Sequence, residues 1–102
     1  MRNKRVYINS VKIEWDDAKR EKTLKERGLD FADVASVDWE DALTLEDARK
    51  NYGETRYVTI AHLKGRLCVF AWCYRGEALR VISLRKANAR EGKKHEKALR
   101  ES

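Results

Sequence analysis

"RYVTIAHLKGRLCVFAWCYRGEALRVISLRK", residues 56–86, decides the fold. It holds three runs rich in β-branched and aromatic residues, "RYVTIAHL", "RLCVFAWCY" and "EALRVISLRK". Lys64-Gly65 and Arg75-Gly76 separate them, each the length of a two-residue hairpin loop with glycine to supply the positive φ such turns require. The spacing therefore predicts three antiparallel strands. Because side chains alternate with a period of two, the register follows from counting. Leu63 should face Arg66 and Tyr57 should face Trp72. In the second hairpin Tyr74 should face Glu77, Trp72 should face Leu79, and Arg66 should face Arg85. One sheet face then carries Tyr57, Phe70, Trp72, Leu79 and Val81, with Arg66 and Arg85 together at its far end. The other carries Val58, Ile60, Leu67, Val69, Ile82 and Leu84, with Arg56, Arg75 and Arg80 towards the opposite end.

The flanks complete the fold. "VKIEW" (11–15) alternates apolar and polar, as a first strand does. "WDDAKREKTLKERG" (15–28) is a helix, with Asp16 at its N-cap and Gly28 where a left-handed C-terminal cap belongs. Its apolar stripe is thin (Ala18, Leu24), so it is a covering helix. Asp30 caps a second short helix, "FADVASV", in which Phe31, Val34 and Val37 share a face. "DALTLED" is a short strand, "DARKNYGE" a polar loop, and residues 87–101 a polar C-terminal helix. The expected fold class is α+β: an antiparallel sheet of about four strands with two N-terminal helices and a C-terminal helix. The three tryptophans, Trp15, Trp39 and Trp72, belong to the core.

At 102 residues the chain is expected to be a single domain, 1–102, with residues 1–10 a flexible or strand-extending arm. A hydrophobic content of 42% argues against wholesale disorder. No apolar run approaches the ~20 residues of a membrane span, and the basic N-terminus leads into no signal-peptide core. The expected location is a reducing cytoplasm. Charge is uneven: residues 14–54 hold seven basic and thirteen acidic groups, residues 55–102 twelve basic and four acidic. A basic C-terminal half suits an anionic partner such as nucleic acid.

Several chemistries are excluded. Cys68 and Cys73 are an odd number apart, so a regular strand sends them to opposite faces, which argues against a disulfide or shared metal within it. There is no ligand-spaced His/Cys cluster, no phosphate-cradling glycine loop and no nucleophile elbow. No metal or cofactor is expected. Two arginines directly opposite on a sheet face repel. Such a pair survives when a carboxylate lies between the heads, or when an external anion does. Glu54 offers the internal answer for Arg56 and Arg80. His62, sharing a face with Val58 and Ile60, is read as structural. His95 returns towards the sheet only if the last helix folds back.

"IEWDDAKREKTLKERGLDFADVASV", "YGETRYVTI" and "GRLCVFAWCYRGEALRVISLRKANARE" together resemble the BrnT family of bacterial toxins. The most specific pieces are the "WD..K" start, "GE.R" (Gly53, Glu54, Arg56) and "R.IS.RKA" (Arg80, Ile82, Ser83, Arg85, Lys86, Ala87). The resemblance implies a RelE-like fold and a ribonuclease toxin of a type II toxin–antitoxin module. It implies neutralisation by a BrnA-like antitoxin with a ribbon-helix-helix part, the complex binding operator DNA through the antitoxin. The chain departs from the pattern at Thr23, at Glu26-Arg27 and at His95, where a tyrosine is common.

RNA is cleaved without metal when a base takes the 2′-OH proton, that oxygen attacks phosphorus, and an acid protonates the departing 5′-oxygen. Arginine forks stabilise the charge that builds on phosphate. The first candidates for that clamp are Arg66 and Arg85, with Lys86, Lys64 and Arg75 as substrate-binding helpers; Arg56 and Arg80 are the second. His95 is the candidate general acid, imidazole being the side chain suited to proton transfer at neutral pH. The competing reading is a non-catalytic nucleic-acid- or antitoxin-binding module.

Overall fold

In the computed structural model, which describes residues 11–48 and 53–101, the capping signals act where the sequence puts them. Asp16 accepts a hydrogen bond from the Lys19 N–H at 3.1 Å and starts helix α1, Asp17–Arg27. Gly28, at φ +70°, ends it by donating its N–H to the Leu24 carbonyl. No α1 side chain is buried, so the helix is a cover. Asp30 caps the next segment through the Ala32 N–H. It also takes two hydrogen bonds from Arg20, at 2.7 and 3.0 Å, which tie α1 to that segment. Arg20 holds the Asp30 carboxyl below its usual range. The segment it caps, Phe31–Ser36, is a 3₁₀ helix, and a 3₁₀ turn follows at Trp39–Asp41. The tighter winding still buries Phe31 and Val34.

The strands are β1 (Ile13–Trp15), β2 (Leu43–Glu46), β3 (Tyr57–Leu63), β4 (Arg66–Arg75) and β5 (Ala78–Lys86), followed by helix α2 (Ala89–Glu101). They form one sheet in the order β1-β5-β4-β3-β2, with β1 parallel to β5 and the other pairs antiparallel. This corrects the expected four-stranded antiparallel sheet to five mixed strands. Hairpin turns encode β3–β4–β5 locally, but nothing local encodes the edges. The chain leaves β1 at one edge and returns as β2 at the other. Burial of Val11, Ile13 and Trp15 against the core fixes that choice.

The first hairpin has the expected register, Leu63 opposite Arg66 and Tyr57 opposite Trp72. Lys64 and Gly65 both take positive φ, +51° and +80°, as the tightest hairpin turn requires. The second hairpin differs twice. Its loop is Gly76-Glu77, one residue later than expected, so Arg75 pairs with Ala78 and Trp72 with Val81. Beyond that, Ile82 is an extra residue: Ala71 pairs with Ser83, Phe70 with Leu84 and Val69 with Arg85. A bulge inverts facing for every residue after it. Leu84 thereby enters the core face and is 1% exposed. Arg85 leaves that face, and the expected pairing of Arg66 with Arg85 does not exist.

The core lies between one sheet face and the covering segments. It joins Phe31, Val34, Phe70, Trp72, Val81 and Leu84, with Trp15 and Trp39 packed against it. Its buried indole N–H is satisfied: Trp72 Nε1 donates to Thr59 Oγ1 at 2.8 Å. The bare upper end of β5, past its pairing with β1, is met by α1, where Arg27 donates to the Leu84 carbonyl at 2.8 Å. Cys68 and Cys73 are free and buried, and their partners Lys86 and Arg80 place them on opposite faces. Among the described residues no helix is long and apolar enough to cross a membrane. The expected arm, residues 1–10, lies outside the described residues, as does part of the "DARKNYGE" loop.

Candidate functional site

The eight side chains singled out in the sequence separate into three groups. Arg66, Lys64 and Lys86 gather at the β3–β4 turn end, on the core side of the sheet. Lys64 reaches Asp33 at 3.9 Å. Arg66 and Lys86 flank Cys68, whose thiol burial pushes up while these two cations partly offset it. Asp30, Asp33, Lys64 and Arg66 line a small cleft with Leu29 and Leu84.

The second group sits on the outer face where β5 passes into α2. Arg85 grips Glu91 with two hydrogen bonds, at 2.8 and 2.7 Å. Glu91 also accepts the Asn88 N–H, while Asn88 Oδ1 accepts the Glu91 N–H: a reciprocal cap for α2. Arg85 lowers the Glu91 carboxyl to about 2. The Arg-Lys pair at this junction is thus divided, with Arg85 fastening the helix on one face and Lys86 on the other. The helix does fold back: His95 is 4% exposed, and its Nε2 lies 2.6 Å from the Asp41 carbonyl oxygen. Half-exposed His62 holds the Asp41 carboxylate through Nδ1 at 2.9 Å. His95 is thus enclosed behind Asp41 and packs on His62, on the sheet face opposite to Arg66. Twenty-one residues separate Asp41 from His62 and 54 separate it from His95; no sequence spacing announces the trio.

The third group is the one the sheet assembles on its open outer face. Glu14 pairs with Arg80 across β1 and β5, and Arg80 pairs with Cys73 across β5 and β4. Arg56 enters β3 next to Tyr57, the partner of Trp72, and so falls in line beside Cys73. Arg75 lies two residues further along β4, on the same face. Glu54 reaches Arg56 at 3.3 Å and Arg75 at 3.5 Å, and Glu14 reaches Arg80 at 3.5 Å. Arg75 is raised further, first by its hydrogen bond with Cys73 and then by Glu54. Beside this row Ala71 and Ser83 form a floor of small side chains. Three guanidiniums from three strands, interleaved with two carboxylates, can hold a phosphodiester and accept a proton beside it. Sequence counting placed Arg56, Arg75 and Arg80 on this face, because the bulge lies beyond Arg80. The part played by Glu54 is visible in sequence only as the two-residue spacing of "GE.R".

A basic open sheet face defines a protein built to handle a polyanion. The family model matching residues 15–91 is described as ribonuclease toxin, BrnT, of type II toxin–antitoxin system. A solved structure, the crystal structure of the Brucella abortus ribonuclease toxin BrnT, is similar to this chain at 30% identity and a TM-score of 0.60, covering 78% of this chain and 99% of that one. No curated protein matches. The class is therefore that of the ribonuclease toxins of type II toxin–antitoxin systems, which act on RNA and are paired with an antitoxin. Within that class the chain belongs to the BrnT family.

Proposed function

We propose that this chain cleaves RNA without metal on the outer face of its sheet, with Arg56, Arg75 and Arg80 gripping the scissile phosphodiester and Glu54 taking the 2′-OH proton. The observation that carries the reading is the row of three arginines on one sheet face, Arg56 and Arg75 sharing the Glu54 carboxylate and Arg80 beside them paired with Glu14. Such forks donate paired hydrogen bonds and stay charged, so they stabilise the phosphorane-like transition state more than the ground state. The 2′-oxygen bonds to phosphorus and the bond to the 5′-oxygen breaks; the departing oxygen takes a proton from water, Glu54 returns its proton to solvent, and the products are a 2′,3′-cyclic phosphate and a 5′-hydroxyl end. Arg66 and Arg85 act elsewhere. The first offers phosphate contacts with Lys64 and Lys86 at the turn end, and the second fixes α2. The reading places the toxin in the cytoplasm, where its RNA is. The antitoxin is a BrnA-like ribbon-helix-helix protein that covers the arginine face, the pair binding operator DNA through the antitoxin.

Purified chain incubated with total RNA in excess chelator should yield fragments with cyclic phosphate ends. Arg80→Ala should lower the cleavage rate by roughly 10²–10³-fold, the usual cost of one transition-state donor, with the fold retained by circular dichroism. Cleavage that stops in chelator, or an Arg80→Ala protein as active as its parent, would overturn the assignment. RNA binding without fragments would favour the non-catalytic module.

A further inference from the structure

We propose that Asp41, His62 and His95 form a binding site for a borderline divalent cation of the zinc class, which pins the last helix to the sheet. The three residues come from three elements: the 3₁₀ turn before β2, strand β3, against which β2 pairs, and helix α2. Their donor atoms all lie within 4.8 Å of one another. His62 Nδ1 is 2.9 Å from Asp41 Oδ2, and His95 Nε2 is 3.6 Å from Asp41 Oδ1. In a tetrahedral zinc site with ligands at 2.0–2.2 Å, neighbouring donor atoms sit about 3.3 Å apart. These two pairs, one to each Asp41 oxygen, bracket that spacing, and side-chain rotation brings the remaining separation, within 4.8 Å, down to it. The two imidazole rings meet edge to face at 5.6 Å, and each turns one nitrogen towards the Asp41 carboxylate, His62 its Nδ1 and His95 its Nε2.

Ligand chemistry selects the metal. Two imidazoles and one carboxylate suit zinc and its transition-metal neighbours, whereas magnesium and calcium require mostly oxygen donors. Burial supplies a firm wall and an entry: the His95 side chain is 5% exposed, that of Asp41 26% and that of His62 47%. A fourth position is left for water. On binding, the cation takes the place of the proton that His95 Nε2 shares with the Asp41 carbonyl. The helix is then held at two points: Arg85–Glu91 at its first turn and the cation at its second. The site lies at the opposite end of the sheet from the arginine row: Arg56, just before β3, and His62 within it are six residues apart, about 20 Å along extended chain.

The test uses the full-length, tag-free chain after removal of metal by chelator and dialysis. Titration with Zn²⁺ should show one equivalent bound, and saturation should raise the melting temperature by about 5 °C or more. Co²⁺ should give the visible absorption of a tetrahedral centre. His62→Ala, a change at an exposed ring, and Asp41→Asn should each weaken Zn²⁺ binding by at least ~10-fold while melting near the metal-free parent. Mg²⁺ should do nothing. The proposal falls if Zn²⁺ leaves melting unchanged, if His62→Ala binds as tightly as the parent, or if Mg²⁺ stabilises equally. RNA cleavage in chelator is a separate readout, so either result there leaves the cation site standing or falling on its own.

Discussion

Arg80 sits between Glu14 on one neighbouring strand and Cys73 on the other, and Glu54 lies beyond, between Arg56 and Arg75. A residue in that position can serve as proton acceptor only while it keeps a carboxylate. Glu54→Gln preserves size and hydrogen bonding but removes the base, so it should cost on the order of 10²–10⁴-fold in cleavage rate, measured as single-turnover rates on a short RNA. Unchanged rates would reassign Glu54 to a purely structural bridge. Glu91 makes a different residue-scale prediction. Its folded pKa, about 2, lies below the ordinary 4.5, so its pairing stabilises the fold above pH 4.5 and that contribution is lost as pH falls towards 2. Arg85 is 46% exposed, so screening reduces the effect to about 1 kcal/mol. Melting temperature should therefore fall more steeply between pH 5 and 2 in the parent than in Glu91→Gln.

At the scale of elements, the extra residue Ile82 decides where β5 directs its charges. Counting from two tidy loops put Leu84 on the outer face and Arg85 beside Arg66; the bulge exchanges Leu84 and Arg85. The physical reason is burial. An isobutyl side chain entering the core gains the free energy of leaving water, roughly 2 kcal/mol, whereas a guanidinium in its place would have to be desolvated. Leu84→Ala should accordingly destabilise by about 3 kcal/mol in denaturant unfolding; a change below ~1 kcal/mol, usual for a surface site, would contradict the placement. The caps and the first turn were legible, because Asp16, Gly28, Asp30 and Lys64-Gly65 act on their own backbone neighbours. The bulge was not, because no residue at 82 marks it. It is set by what Leu84 and Phe70 bury together.

Across the whole molecule, a formal charge of +6 concentrated in the C-terminal half makes RNA binding dependent on salt. If Arg56, Arg75 and Arg80 each contact phosphate, the slope of log affinity against log salt is about −2, and raising salt from 50 to 200 mM weakens binding about 20-fold. Arg75→Ala should reduce that slope by about 0.7, read by fluorescence anisotropy; an unchanged slope would remove Arg75 from the grip. The amino-acid order by itself determined the β3–β4–β5 ribbon, the capped helix before it, the basic half and the family, because each is written in neighbours or in short fixed spacings. Tertiary structure alone decided that β1 lies parallel to β5, that Arg66 and Arg85 part company, and that Asp41, His62 and His95 meet. Those outcomes depend on which apolar surfaces exclude water together, and that is a property of the assembled sheet and helices rather than of any segment.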